Sequence, residues 1–578
     1  MIKQFLKHRW QRVIFYTVLV IAIVAILLTI ATNLFVVPAL QNKLKTSIRE
    51  SSDSLYIVNY NDADISLLQG NITLTDATLK VDSAVYKKKK SEGTAPNNLY
   101  NVSVKQLRLT GVKGLKLYFS KKADVGKIVL NEPEIEMSYE ANNPEDSASR
   151  DKRTIWQRIS KSLQSVQVGE ILLNNLKFKH VNYARKKPLT TVVKEVNLRA
   201  VNLLIDSATQ ADTSRFFYCK DLITEVSNYS GRTGNGLYTY ALKNIKFSTR
   251  TARLNVQGIV FKPHNSLLFF TKTRSERFNL KLDSLNIDNF DFTNYYKYRT
   301  FSASKVTLSK GTLDVFGAPN KIPNYTRENV GSFPHMAIRK LDFGLKIDTV
   351  SIKKLHIIYS ELNNDSKKKG TLVFGNTAGQ MLNLTNNKAA LKRNNLARVN
   401  LTTYFMDRGR LDVRFVLNLT AADASFSYKG SLGPMKLSSL NRAIMPISMV
   451  KVTSGVLKRF DFDVDANRYR AKGKMTLLYN DLNINILKLD DGRLKKKGLM
   501  SMMANAFIIE RNNPDEPGKA PRSANITYVR PVSYPFFKIA WKTLFAGVKE
   551  CAGVSEMDEK KANAKMSEGD LEKQKKKE

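Results

Sequence analysis

Nucleophiles, metal ligands and phosphate-binding loops have characteristic spacings, and none of those spacings occurs in this 578-residue chain. Its two cysteines, Cys219 and Cys551, stand far apart, which suits neither a thiolate metal site nor a disulfide framework. A single bridge between them stays open, with two unpaired thiols the preferred expectation. The five histidines, His8, His180, His264, His335 and His356, form no HxxxH or HExxH pair. Core or surface roles are expected for them rather than ligation. Aspartates are frequent, but Asp283, Asp288 and Asp291 lie between strand residues, as solvent-facing or turn positions do. The residues therefore predict no catalytic residue, no metal and no cofactor: a protein that is not an enzyme.

What the side chains do offer is charge and apolar surface. The formal net charge is +42 and the pI about 9.9, an excess that suits an anionic partner. The densest basic runs are Lys87–Lys90, Lys367–Lys369, Lys495–Lys497 and Lys575–Lys577, each in an expected loop or tail. Solvated strand faces and loops account for most of this charge. No zinc-finger, helix-turn-helix or RNP signature accompanies it, so nucleic acid is not an expected partner.

Residues Val13 to Ile30 carry no charge, and the apolar stretch continues to Val37. That is enough helix to cross the roughly 30 Å hydrocarbon core of a bilayer. Lys3, Lys7, Arg9 and Arg12 precede it and favour a cytoplasmic N-terminus. A cleaved export signal is the competing reading, disfavoured by the length of the run and the lack of a small-x-small site after it. Either reading exports the remainder.

Beyond the anchor, alternation of period two dominates, the pattern of strands with one apolar face. A more specific beat recurs, in which two apolar residues at alternate positions are followed by a two-residue step and then two more. It occurs at Val102, Val104, Leu107, Leu109 and at Val166, Val168, Ile171, Leu173, Leu176, Phe178. Shorter copies are Val196, Leu198, Val201, Leu203 and Tyr240, Leu242, Ile245, Phe247. Long copies follow at Leu280, Leu282, Leu285, Ile287, Phe290, Phe292 and at Leu345, Ile347, Val350, Ile352, Leu355, Ile357. In a regular strand the two-residue step would throw the next apolar side chain onto the other face. A β-bulge, or a corner between short strands, keeps it on the same side and bends the strand. The starts are irregular, so no strict solenoid repeat is expected. Helical periodicity is scarce, with a short candidate at Ile155 to Leu163. So few helices cannot cover a long apolar face, and exposed apolar patches of that size are rare. A second sheet, the same sheet curled on itself, or bound lipid could cover it.

From about Leu396 to Leu489 the alternation is most regular, in the order KGSLGPMKLSSLN, SGVLKRFDFDV, GKMTLLYNDLNINIL. Here the chain resembles the AsmA-like family of envelope proteins, which includes DUF748 and TamB-related members. Gly473, Met475, Leu477, Tyr479, Asp481 and Leu482 fill the G-x-M-x-L-x-Y-x-D-L pattern of its last piece, and Gly455 the small position of the middle one. The motif covers under a hundred residues, and the anchor and β-rich body agree with the family's layout along most of the chain. Tyr479 and Asp481 are expected to close a hydrogen-bonded turn, a structural role.

The resemblance implies a mainly β fold: an N-terminal transmembrane helix in the bacterial inner membrane, an elongated curved antiparallel sheet forming a periplasmic groove, and a few short helices. It also implies a part in phospholipid traffic or outer-membrane homeostasis, with acyl chains on the apolar side. The lipid-facing candidates are then Val166, Val168, Ile171, Leu173, Leu280, Leu282, Leu285, Ile287, Leu345, Ile347, Val350 and Ile352. The expected partners are the membrane itself, phospholipid or an anionic glycolipid, and envelope proteins. A non-enzymatic assembly scaffold, using sheet edges or a C-terminal helix, is the alternative.

Met-rich residues 499–509 have helical spacing and suit core packing. Phe536 to Val548 reads as a basic, aromatic amphipathic helix with Phe537, Trp541, Leu544 and Val548 on one side. Docking at a membrane interface or partner groove and capping of the sheet are equally weighted for it. The expected organisation is 1–12 cytoplasmic, 13–37 anchor, 38–395 groove-like body, 396–490 AsmA-like β region, 491–554 helical and 555–578 a disordered charged tail.

Overall fold

The computed structural model describes residues 49, 52–66, 70–142, 154–160, 163–183, 189–212, 214–273, 276–317, 328–363, 366–490, 493–497 and 509–554. The apolar segment 13–37, residues 499–508 and the tail 555–578 lie outside the described residues. Among the described residues no helix is long and apolar enough to cross a membrane.

The protein is mainly β, with short helices between strands, and divides into two compact units: Met1–Ser230 with Leu242–Val256, and Gly231–Ala241 with Gln257–Glu578. The first holds β1 (Tyr56–Asn59), β2 (Asp62–Ser66), β3 (Asn71–Val81), β4 (Asn98–Thr110), β5 (Lys122–Tyr139), β6 (Ser165–Asn182), β7 (Leu189–Ile205) and most of β8 (Cys219–Arg232). Residues of β9 (Tyr238–Ser248) and β10 (Arg253–Pro263) fall in both. The second holds β11 (Arg277–Asp288), β12 (Thr300–Phe316), β13 (Gly344–Leu362), β14 (Lys369–Thr385), β15 (Leu396–Phe405), β16 (Gly409–Asn418), β17 (Phe426–Leu432) and β18 (Met435–Lys436). It continues with β19 (Val450–Ala466), β20 (Arg470–Asp490), β21 (Arg493–Lys496) and β22 (Ser523–Val529).

The helices are α1 (Ser83–Ser91), α2 (Gly114–Ser120), α3 (Ile155–Ile159), α4 (Phe269–Lys272), α5 (Phe292–Tyr298), α6 (Pro334–Arg339), α7 (Lys388–Arg393), α8 (Asn441–Ser448) and α9 (Phe536–Cys551). α3 fills part of the candidate at 155–163 and starts on a capping box of Thr154 and Gln157.

The expectation of a wholly antiparallel sheet is corrected. β5 pairs with β6, and β12 with β13, in parallel. Parallel neighbours need a crossover long enough to bring the chain back to the starting end. Residues 140–164 and 317–343 provide it.

The recurring beat has a backbone cause. Asn175 (φ 56°) occupies the step between Leu173 and Leu176, and Lys354 (φ 55°) the step between Ile352 and Leu355. At both places the pairing with the next strand shifts register. A single left-handed residue absorbs the extra position, so the apolar side chains before and after it stay on one face. The step in β4 at Lys105–Gln106 is not left-handed itself. It lies between two neighbours that are, Asp76 (φ 50°) in β3 and Glu132 (φ 49°) in β5. β7 carries two left-handed residues, Glu195 and Asn202, and Ala200 rather than Val201 takes the buried position.

These positions reveal an internal duplication. The series β4, α2, β5, crossover, β6, β7 recurs as β11, α5, β12, crossover, β13, β14. The left-handed residues Glu132, Asn175, Glu195 and Asn202 of the first copy correspond to Lys310, Lys354, Asn376 and Asn383 of the second. The pairings also correspond: Leu107 with Leu130 matches Leu285 with Leu308, Leu130 with Leu173 matches Leu308 with Ile352, and Leu173 with Leu198 matches Ile352 with Gly379. The named beats fall on β4, β6 and β7 of the first module, on β9, and on β11 and β13 of the second, separated by unequal connections, and so look irregularly spaced.

Left-handed backbone costs an ordinary residue about 1–2 kcal/mol, and a β-branched one more. Lys354→Val is therefore expected to lower unfolding stability by about 1–2 kcal/mol, whereas Lys354→Gly stays at or above the parent. Chemical denaturation of the three proteins checks this, and equal midpoints would remove the strain argument.

Candidate functional site

The apolar faces of the two modules are the surfaces on which the sequence concentrates its candidates. In the first unit, inward residues of β3 to β8 form one buried cluster, from Ile72 through Leu222. Val166, Val168, Ile171 and Leu173 are each 1–3% exposed within it. Trp156, Leu163, Leu117 and Phe216–Tyr218 close over the same cluster. This is a packed interior, with these four candidates in contact with the chain's own side chains.

The second module reuses the backbone but fills it less completely. Leu282, Ile287, Val350 and Ile352 are buried. Leu280, Leu285, Leu345 and Ile347 are only half-buried, although their counterparts Val102, Leu107, Val166 and Val168 are all buried. The facing strands differ as well, at the positions beside the buried Ile352 and Leu355. Where β7 places Leu198 and Val196 opposite β6, β14 places Gly379 and Thr377 opposite β13. A Cβ on Gly379 would lie 2.0 Å from the Asn400 carbonyl oxygen, so that position accepts no side chain. Thr377 is held by hydrogen bonds with the Phe374 carbonyl and the Thr403 hydroxyl. The buried cluster here is small, Leu282, Ile352 and Leu355, fringed by half-buried Ile259, Leu280, Leu308, Ile357 and Met381. Each half-covered aliphatic side chain forgoes about 1 kcal/mol of burial.

From β14 onward a larger cluster fills the interior, from Phe333 through Cys551. α9 covers it. Phe536, Ile539, Thr543, Gly547 and Cys551 form the buried side. Phe537 is 53% exposed, while Trp541, Leu544 and Val548 are half-buried on the flank. The capping alternative thus describes the stripe beginning at Phe536, and the stripe expected from sequence lies beside it. Thr543 and Gly547 escaped sequence reading because neither is apolar. Thr543 returns its hydroxyl to the Ile539 carbonyl, 2.8 Å away, and Gly547 lets the helix approach Met475, whose sulfur a Cβ would meet at 2.2 Å.

Beside α9, Phe333 and Phe536 ring centroids are 5.8 Å apart and Phe426 contacts both. Arg530 fixes the chain leading into α6. Its guanidinium donates to Glu328 at 2.9 Å and to the carbonyls of Arg468, Val532 and Tyr534. Glu328 also pairs with Arg468. Burial works against its ionised form, and these arginines prevail, holding its carboxyl below the usual range. No sequence signal marked this pair, which is separated by about 200 residues.

His335 is fully buried on α6, with Nε2 3.1 Å from the Ala424 carbonyl. Burial lowers its pKa, the Ala424 carbonyl and Asp423 oppose that, and Arg339 adds to it.

The motif residues are structural, but not through a turn. Tyr479 and Asp481 lie within β20, which runs on past them. Tyr479 is fully buried and donates to the Glu510 carbonyl at 2.8 Å, while its backbone pairs with Asn513. Asp481 (φ 57°) and Gly455 (φ 131°) mark an irregularity where β20 pairs with β19. The Asp481 carbonyl accepts from Ser454 Oγ at 2.7 Å. Met475 and Leu477 are buried in the same cluster, and Leu482 packs against it. Gly473 sits where a Cβ would strike the Asp463 carbonyl oxygen at 2.5 Å.

Both cysteines are free and buried, Cys219 in the first unit and Cys551 in the second. Burial pushes the Cys219 thiol up to about 12 and raises that of Cys551. Among the described residues no three His, Cys, Asp or Glu side chains are grouped as a metal ion would require.

No protein-family model matches the chain, and no curated protein matches it.

Gly547→Ala is expected to cost about 1–3 kcal/mol by overpacking against Met475, read as a lower denaturation midpoint. An unchanged midpoint would mean that α9 does not seat on β20 as described. Because the folded pKa of His335 lies below its unfolded value, the unfolded chain takes up the extra proton as pH falls past about 6.5. The wild type should therefore lose more stability than His335→Phe between about pH 7.5 and about pH 5.5. Parallel losses in the two proteins would exclude His335 as a source of acid sensitivity.

Proposed function

We propose that this chain is a membrane-anchored envelope protein, not an enzyme, that binds or conducts lipid on the apolar face of its second module. The anchor is the uncharged segment 13–37, with the body exported to the periplasm of a bacterial cell. The observation that carries the reading is the contrast between duplicated modules. One backbone plan is filled by its own side chains in the first unit, and is left with half-covered Leu280, Leu285, Leu345 and Ile347 in the second. An acyl chain is the natural complement to a row of half-covered aliphatic side chains. The resemblance to AsmA-like proteins in the 396–490 region points to phospholipid, or an anionic glycolipid given the basic charge, and to outer-membrane homeostasis as the setting.

The scaffold alternative has its own support. β22 pairs with β20 alone among the described strands, and Val529 at its end is exposed. Unpaired strand edges and apolar ends are places where another protein adds.

A photo-crosslinking residue at Ile347 is expected to capture lipid in intact cells, detected by mass spectrometry of the purified adduct, while one at Val168 captures none. Protein adducts without lipid at Ile347 would replace lipid binding by the scaffold role. Lipid at Val168 as well would show that the two modules do not differ as proposed.

A further inference from the structure

The chain arrives at the first unit beside a basic helix. β1 begins at Tyr56 opposite Val81, the last residue of β3, and the Asp82 amide donates to the Leu55 carbonyl at 2.8 Å. α1 starts at the next residue, its first amides capped by the Asp82 carboxylate. The helix is held at this strand end by a small network. Tyr86 Oη donates to Glu140 at 3.0 Å, Lys90 donates to the other Glu140 oxygen at 2.8 Å, and Asn142 donates to Tyr86 Oη at 2.8 Å. Lys89 lies 3.7 Å from Asp53, in the stretch of chain that follows segment 13–37.

With those contacts made, Lys87, Lys88, Lys80 and Arg49 remain exposed, and no carboxylate lies within ion-pair distance of any of them among the described residues. Asp53 and Glu140 are already engaged and Asp82 serves as the cap, leaving Glu92 as the remaining acid beside α1 among the described residues. Lysine in a last helical turn offsets the helix dipole, which accounts for Lys88 to Lys90. It does not account for Lys87 at mid-helix, nor for Lys80 and Arg49 on other elements.

We propose that α1, with Lys80 and Arg49, is a headgroup-contacting surface for anionic lipid in the bilayer that segment 13–37 spans. This rests on the anchor assigned above. Eighteen residues, 38–55, separate segment 13–37 from β1, a tether that allows the strand end to reach headgroup depth, where unpaired cations gain most from anionic phosphates. Because the Glu140 network fixes α1 to β4 and β5, contact at α1 also orients the first unit, with α2 held at the far end of β4.

The test uses the full-length chain in vesicles of phosphatidylglycerol or of phosphatidylcholine, with an acceptor dye on the headgroups. A donor dye is attached at S91C or at S120C, at opposite ends of β4, roughly 40 Å apart by strand geometry. Cys219 and Cys551 are buried and do not compete for label. In phosphatidylglycerol, energy transfer from S91C should far exceed that from S120C. It should lose most of its strength in phosphatidylcholine, in about 0.5 M salt, or when Lys87 and Lys88 are changed to Gln. Transfer from S91C indifferent to lipid charge, salt and those lysines overturns the inference while leaving the anchor intact. Release of the chain from vesicles by alkaline carbonate overturns the anchor, and this inference with it.

Discussion

A long strand that keeps one apolar face must reconcile side-chain alternation with the need to bend. The left-handed residues do this. Asn175, Asn202, Lys354 and Asn383 each interrupt the pleat without moving the apolar set to the other side. Several carry side chains that gain little from that conformation, lysine and glutamate among them, so the tertiary fold imposes it on them. The interior clusters depend on this constraint, because a pleat continued unbroken through Lys354 would direct Leu355 and Ile357 to the face that holds Lys353.

The duplicated modules show how one backbone plan supports different interiors. Backbone pairing and left-handed positions are retained, while the inward side chains differ. Leu198 and Val196 help to seal the first module, and Gly379 and Thr377 stand in their places in the second. Polar-face charges change as well. Glu132 pairs with Lys105 in the first copy, and the corresponding positions in the second are Lys310 and Asp283, with the signs exchanged. Such swaps cost little on a solvated face, where an exposed ion pair contributes at most about 1 kcal/mol.

The C-terminal part closes its interior by a different means. α9 and the Phe333–Phe426–Phe536 contacts supply bulk, and Arg530 ties the chain before α6 to the segment before α9. A buried guanidinium is tolerated there because Glu328 and three carbonyls satisfy it. Tyr479 and Asn513 perform the same service for the segment that follows β21, through hydrogen bonds that leave few buried polar atoms without a partner.

The sequence by itself determined the β character, the apolar faces, the bulges and the C-terminal helix, because these follow from local periodicity: the step at Asn174–Asn175 is visible in the spacing of Leu173 and Leu176. It did not determine strand partners. The parallel pairing of β5 with β6 and the correspondence of Leu198 with Gly379 depend on crossovers and register, which no local pattern encodes. Nor did it distinguish Val168 from Ile347, which occupy the same place in the same beat and both face a leucine on the next strand, Leu203 and Leu384, since burial is set by what the assembled fold packs over them. Phe537 belongs to an apolar stripe that suits docking and capping equally, and tertiary structure gives the packing role to the row through Thr543 and Gly547, where Gly547 allows the helix to approach Met475. Periodicity reports which side of an element is apolar, and only the assembled fold decides what, if anything, covers it.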